Sequence, residues 1–231
     1  MNICGYQKTT LLDYPGHVAA TIFTGGCNFR CPFCHNSDLV VNPTMSPCIS
    51  QEEIFAFLKK RKNVLSGICI TGGEPTLQTN LSEFIKKVRS FGYKIKLDTN
   101  GYRPEVIADL LAKNLLDYIA MDIKAGFSNY STVCGISNLN IDNIKESISI
   151  IENSDIEYEF RTTVVKELHT AQDFHEITEM LSSKSPYYIQ SFQDSGNILT
   201  PALSSCDKET LEYFLSIMKE KVIGSSLRGV T

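Results

Sequence analysis

The sequence predicts an α/β fold, a partial and open (βα)6 TIM-like barrel of parallel strands. Three observations lead there. Six short apolar or alternating runs are each followed by a helical pattern, which is the signature of βαβ units and a parallel sheet. A full eight-unit barrel needs about 250 residues, and this chain has 231. The polar, glycine-bearing motifs fall just after the strands, at the end of a barrel where chemistry is done.

The elements follow in order. Asp13-Tyr14-Pro15-Gly16 is turn-like and leads into a strand at 18–23. The stretch 42–47, with two prolines, reads as irregular connection. Ser50 with Glu53 makes a capping box for a helix carrying Ile54, Phe55, Phe57 and Leu58 and ending near Asn63. A strand at 68–71 precedes a helix marked by Leu81, Phe84, Ile85 and Val88 at i, i+3, i+4, i+7, with Asn80 placed to cap it. Residues 93–97 alternate with period two, as a half-covered strand does, and Pro104 opens a helix with Val106, Ile107, Leu110 and Leu111. A strand at 118–123 is followed by a polar loop and a helix marked by Ile141, Ile144, Ile148 and Ile151. The β-branched and aromatic run 157–165 is the fifth strand, Thr170 and Asp173 cap the next helix, 187–192 is the sixth strand, and Asp207 caps a last helix. The whole chain, 1–231, reads as one domain with residues 1–17 as an N-terminal extension that contacts a partner or covers one end of the barrel.

Composition narrows the function. With 42% hydrophobic and 21% charged residues the chain is that of a globular protein. A net charge of −4 gives no general attraction to nucleic acid or to an anionic membrane. No run approaches the roughly 18 apolar residues of a membrane helix, and residues 1–10 lack a secretory pattern, so the expected compartment is the cytoplasm. No Ser/His/Asp set for hydrolysis stands out.

The chemistry centres on Cys27, Cys31 and Cys34, spaced C-x3-C-x2-C directly after the first strand. Three thiolates in one loop do not complete a four-ligand site. A cubane iron–sulfur cluster takes four cysteines, so a loop supplying three leaves one iron open, as catalytic metal sites do. The rival is a zinc site completed by His35; Cys34 and His35, being adjacent, are awkward partners on one ion. Cys4, Cys48, Cys69, Cys134 and Cys206 are scattered and are assigned no disulfide; Cys69, between Ile68 and Ile70, reads as core.

Three further motifs share the predicted rim: Gly72-Gly73-Glu74-Pro75, Asp98-Thr99-Asn100-Gly101 and Asp122-Ile123-Lys124. Singly, each has a plain structural reading as a tight turn, a solvated turn or a surface ion pair. Arg161, inside the fifth strand, needs an anionic partner, either a bound carboxylate or an internal salt bridge.

Together the cysteine loop, with Phe33 before its last cysteine, and these three motifs resemble the radical S-adenosylmethionine superfamily. Within it the chain, including its opening Gly5–Gly16, is most similar to glycyl-radical-enzyme activases of the type that activates anaerobic ribonucleoside-triphosphate reductase. The resemblance implies one [4Fe–4S] cluster on Cys27, Cys31 and Cys34, since no second cysteine-rich insert is present. It implies reductive cleavage of S-adenosylmethionine to a 5′-deoxyadenosyl radical that takes hydrogen from a glycine of a glycyl radical enzyme, with a flavodoxin- or ferredoxin-type electron donor. It places Gly72, Gly73 and Glu74 at the cofactor's amino group, Phe33 near its adenine, and a monovalent cation by Asp98, Thr99 and Asp122, with Lys124 nearby and Arg161 a candidate for the carboxylate. Where some activases carry a histidine near the sixth strand's end, this chain has Gln190 and Gln193; His169 and His175 read as solvated. The alternative within the superfamily is an enzyme acting on a small molecule, of the 7-carboxy-7-deazaguanine synthase type, and the alternative outside it is a zinc-stabilised interaction module.

Overall fold

A computed structural model of the chain describes residues 1–42, 48–194 and 196–229. The expectation of an irregular link at 43–47 lies outside them. One sheet holds eight strands in sequential order: β1 (Ile3–Thr10), β2 (Ala19–Thr24), β3 (Gly67–Gly72), β4 (Lys94–Thr99), β5 (Tyr118–Asp122), β6 (Glu157–Val164), β7 (Tyr187–Ser191) and β8 (Ser225–Arg228). The pairs from β2 to β8 are parallel and β1 is antiparallel to β2. Among the described residues β1 and β8 do not pair with each other, so the barrel stays open between them.

The six predicted strands and their six long helices are present: α2 (Gln51–Arg61), α3 (Leu81–Arg89), α4 (Pro104–Ala112), α6 (Ile141–Glu152), α7 (Ala171–Met180) and α8 (Lys208–Lys219), together with two short helices, α1 (Ser37–Val41) and α5 (Tyr130–Cys134). Caps fall where the sequence puts them. The Ser50 hydroxyl accepts the Glu53 amide at 3.1 Å, Asp207 accepts that of Thr210 at 2.7 Å, and the Asp173 carboxylate takes the Thr170 amide at 2.8 Å. Asn80 precedes α3, but its side chain makes no cap bond.

The sequence did not show β1 and β8. Residues 1–17 form an edge strand and a turn, and the turn sends one side chain into the barrel. Alternation along β5 explains how. Ile119 and Met121 join the large core between sheet and helices, whereas Tyr118 and Ala120 face a small interior cluster with Tyr14 and Ala19. Tyr14, 2% exposed, reaches in from the β1–β2 turn and meets Tyr118 edge-on at 5.9 Å. A Cβ on Gly67 would lie 2.7 Å from the Tyr14 ring, so the small residue makes room for the plug. β8 is only Ser-Ser-Leu-Arg, without an alternating pattern, and is held from outside itself: Arg228 grips Glu159 of β6 through both terminal nitrogens at 3.0 and 2.8 Å. No described helix is long and apolar enough to cross a membrane.

Replacing the plug is the test of this arrangement. Tyr14→Ala should cost about 3–5 kcal/mol in urea unfolding, as for other buried aromatic truncations. Leu12→Ala, at a residue 90% exposed in the same turn, should stay within about 0.5 kcal/mol.

Candidate active site at the carboxyl rim

The cysteine loop leaves the end of β2 and is held by its own backbone and by its neighbours. The Arg30 side chain donates to the carbonyls of Cys27 and Phe29 at 2.7 and 2.8 Å, the Arg30 amide donates to the Cys134 carbonyl at 2.8 Å, and Cys34 closes a turn on Cys31 at 3.1 Å. From the far side the β7–α8 connection crosses over: the Thr200 amide bonds the Pro32 carbonyl at 3.0 Å, and His35 Nε2 donates to the Gln193 carbonyl at 2.7 Å while its ring stacks on Phe192. His35 is therefore engaged in holding that connection.

Gly72 and Gly73 serve first to bring two strand ends together. Gly72 has φ +115°, and a Cβ there would lie 2.3 Å from the Thr24 amide; one on Gly73 would lie 2.0 Å from the Gly26 carbonyl oxygen. The Gly73 and Glu74 amides donate to Thr24 and Gly26, both at 2.8 Å. The Glu74 side chain, 1% exposed, accepts four hydrogen bonds from the protein. Oε1 accepts from the Thr76 amide at 3.0 Å, the Thr76 hydroxyl at 2.6 Å and the Thr99 hydroxyl at 2.8 Å; Oε2 accepts the Asn100 amide at 2.7 Å. Burial pushes its carboxyl up and these bonds oppose the shift. Glu74 thus fastens the β3 and β4 ends to each other, and Oε2, which accepts one bond, keeps an acceptor position at the cavity wall.

The polar faces of β4, β5 and β6 meet inside the barrel. Arg161 Nε donates to Asp122 at 2.6 Å, Nη2 lies 3.2 Å from Asp98, and Nη1 lies 3.7 Å from Glu159. Lys96 pairs with Asp98, and Lys124 with Asp122 at 2.9 Å. Of the two partners considered for Arg161, the structure contains the internal one. Against the cost of burial, Arg161 and Lys124 hold the Asp122 carboxyl far below its ordinary value, and Arg161 and Lys96 hold Asp98 low. Lys96, on the polar side of the alternating run 93–97, is 2% exposed, because the second face of this strand is the barrel interior. His169 departs from expectation in the same way. It is buried, its Nδ1 accepts the Val165 amide at 3.1 Å, its Nε2 donates to the Lys124 carbonyl at 2.8 Å, and its ring stands edge-on to Phe33; His175 is exposed.

A cavity of about 250 Å³ gathers Cys27, Phe33, Gly72, Gly73, Glu74, Asp98, Thr99, Asp122, Lys124 and Arg161, with Cys31 and Cys34 beside Cys27. Every residue singled out in the sequence as a site candidate lines it. Thr163 and Gln190 line it too. Thr163 escaped the sequence reading, although it lies two residues beyond Arg161 and so on the same strand face.

The donors suit a metal–sulfur group. Among the described residues no three His, Cys, Asp or Glu side chains converge as a single ion would need, whereas a cluster takes one thiolate per iron. Burial, then the Glu74 charge, pushes the Cys27 thiol up to about 12, and burial raises Cys34. A positively charged group is what brings such thiols to the ligating thiolate form. The buried Asn28 Nδ2, in the same loop, has no acceptor in the protein. Those residues would hold a [4Fe–4S] cluster.

Fold and site define a radical SAM protein: the Radical SAM superfamily pattern matches residues 21–181, and the chain belongs to that superfamily. Two Methanocaldococcus jannaschii proteins named "Putative glycyl-radical enzyme activating enzyme" are similar to it. MJ1227 is 33% identical over 195 residues, 83% of this chain and 80% of the relative; MJ1632 is 32% identical over 198 residues, 81% and 72%. Among solved structures, Streptococcus suis SuiB bound to precursor peptide SuiA superposes with a TM-score of 0.66 at 14% identity, covering 90% of this chain and 48% of that one, a likeness of fold.

Two outcomes check the site's construction. Arg161→Met should cost about 3 kcal/mol at neutral pH, because it removes the cation shared by Asp98 and Asp122 and leaves each with a single lysine partner. The native protein holds Asp98 and Asp122 below their unfolded values, so their contribution is full above about pH 4 and is lost as pH falls further. In the variant they can protonate, and the gap between the two proteins in denaturant midpoints measured from pH 7 down to 4 should narrow. Gly73→Ala should displace the Gly26 backbone and lower Tm, whereas Gly5→Ala, with open space at its Cβ and no positive φ, should cost less.

Proposed function

We propose that the chain activates a glycyl radical enzyme resembling anaerobic ribonucleoside-triphosphate reductase, abstracting hydrogen from a backbone glycine of that partner. One observation carries the reading: motifs from the ends of β2 to β6 line a single cavity around three thiols. The name carried by the two relatives, each aligned with more than four-fifths of this chain, supports the glycyl radical enzyme as the substrate class.

When bound, the cluster supplies the electron that cleaves the sulfonium of S-adenosylmethionine reductively. The protein's share is placement and electrostatics. Cys27, Cys31 and Cys34 bind as thiolates and leave one coordination position open. Phe33, buried and braced by His169, offers a flat apolar wall to an adenine. Gly72 and Gly73 present backbone at the cavity wall, and Glu74 keeps that wall in place by tying Thr76, Thr99 and Asn100. Asp98 and Asp122 are balanced by Lys96, Arg161 and Lys124, and Thr99 is bonded to Glu74; in our reading these cations of the chain itself replace an added monovalent cation. The gap between β1 and β8 gives a peptide of the partner a way in, and a flavodoxin- or ferredoxin-type protein delivers the electron.

The test is anaerobic. The protein reconstituted with iron and sulfide, reduced, and mixed with S-adenosylmethionine should show a changed [4Fe–4S] signal in electron paramagnetic resonance and release 5′-deoxyadenosine. Adding an anaerobic ribonucleotide reductase should produce a glycyl radical doublet. Cys27→Ser, Cys31→Ser and Cys34→Ser should each lose the cluster's visible absorption, and Cys69→Ser should keep it. Cofactor cleavage without a doublet in any glycyl radical enzyme would overturn the substrate assignment; a colourless zinc protein would overturn the cluster.

A further inference from the structure

We propose that Asn28 and Asn100 form a linked amide pair that donates hydrogen bonds to the metal–sulfur group on Cys27 and thereby raises its reduction potential; the inference rests on reading Cys27, Cys31 and Cys34 as cluster ligands. The two residues sit in different motifs, one inside the cysteine loop after β2 and the other in the turn after β4, and the fold places them side by side.

Asn100 is buried, and its remaining groups are committed. Its backbone amide is on Glu74 Oε2 at 2.7 Å, and its side-chain Oδ1 accepts the Tyr102 amide at 3.0 Å. Oδ1 is thus the carbonyl end, and Nδ2 is the end that reaches the cysteine loop. Nδ2 donates to Asn28 Oδ1 at 2.8 Å and approaches Cys27 Sγ at 3.8 Å. Asn28 Oδ1, which receives that bond, also accepts from the Cys27 thiol at 3.9 Å, an interaction lost once Cys27 is a thiolate, and Asn28 Nδ2 is left as a donor, buried with no acceptor in the protein. A buried amide donor left unmade is costly, and Asn28 immediately follows the ligand Cys27. Cysteine thiolates and inorganic sulfides are acceptors only, which is what this donor lacks. Cys27 Sγ already receives the Phe29 amide at 3.3 Å, so the side-chain amides add to a backbone donor on the same sulfur. Donors to cluster sulfur favour the more negative, reduced state and so move the potential upward.

The experiment is a dye-mediated redox titration of the reconstituted protein without S-adenosylmethionine, followed by electron paramagnetic resonance, with iron and sulfide counted per chain. Asn28→Leu removes the free donor, Asn28→Asp removes it and adds charge, and Asn100→Asp keeps the acceptor for Tyr102 while losing the amide donor. Each should hold a full cluster with a midpoint potential below wild type, and Asn28→Gln should recover part of the shift. A role confined to shaping the loop would change cluster content without moving the potential of the cluster that remains. Wild-type potentials in Asn28→Leu and Asn28→Asp would overturn the proposal alone; a wild-type protein that assembles no cluster would overturn the ligand reading beneath it.

Discussion

The guanidinium of Arg161 is the constraint on which the inside of this sheet depends. It lies in β6 among Asp98 of β4, Asp122 of β5 and Glu159 of its own strand, at a depth where a lone charge of either sign would be expensive. Lys96 and Lys124 complete the balance on one side, and Arg228 of β8 does so on the other. A barrel interior packed only with apolar side chains would be a core. This one is apolar at the Tyr14 end and ionic toward the rim, so it keeps a polar, preorganised cavity without leaving a charge unpaired.

The rim is coupled to that interior through short covalent and hydrogen-bonded steps. Glu74 bonds Thr99 and Asn100, the two residues that follow Asp98, and Asn100 touches Asn28 and Cys27. Gly72 and Gly73 permit the approach between the β2 and β3 ends that brings the cysteine loop within reach of Glu74. Lys124 shares this arrangement from below, since its side chain holds Asp122 and its carbonyl receives His169, which stands against Phe33. Ligand loop, cofactor wall and ionic interior are thus parts of one bonded unit, and hydrogen bonds rather than apolar area make its joints, because donors and acceptors fix direction as well as distance.

The sequence by itself determined a great deal. Hydrophobic periodicity set six strands and six helices, because a half-buried element must repeat at 2 or 3.6 residues, and Ser50, Asp173 and Asp207 marked helix starts through local backbone bonding. The spacing of Cys27, Cys31 and Cys34 announced a three-thiolate loop, and the rim motifs named the cavity's lining before any coordinates, since residues at strand ends of parallel units must share one edge. Tertiary structure decided the rest. β1 and β8 carry weak local patterns and exist as strands because β2 and β7 offer them unpaired edges, with Arg228 anchored on Glu159. His169 looked solvated, and nothing marked Lys96 as interior, since a polar residue on a connection or an alternating strand gives no local sign that it faces the inside of a barrel. Glu74 and Arg161 stood out in the sequence as candidates to meet a ligand; only the fold shows that Glu74 also bonds Thr76, Thr99 and Asn100 and that Arg161 also sits among Asp98, Asp122 and Glu159. Local pattern records which face of an element is apolar, whereas the partner of a buried charge is set by residues tens of positions away, and that pairing becomes visible only when the sheet closes around it.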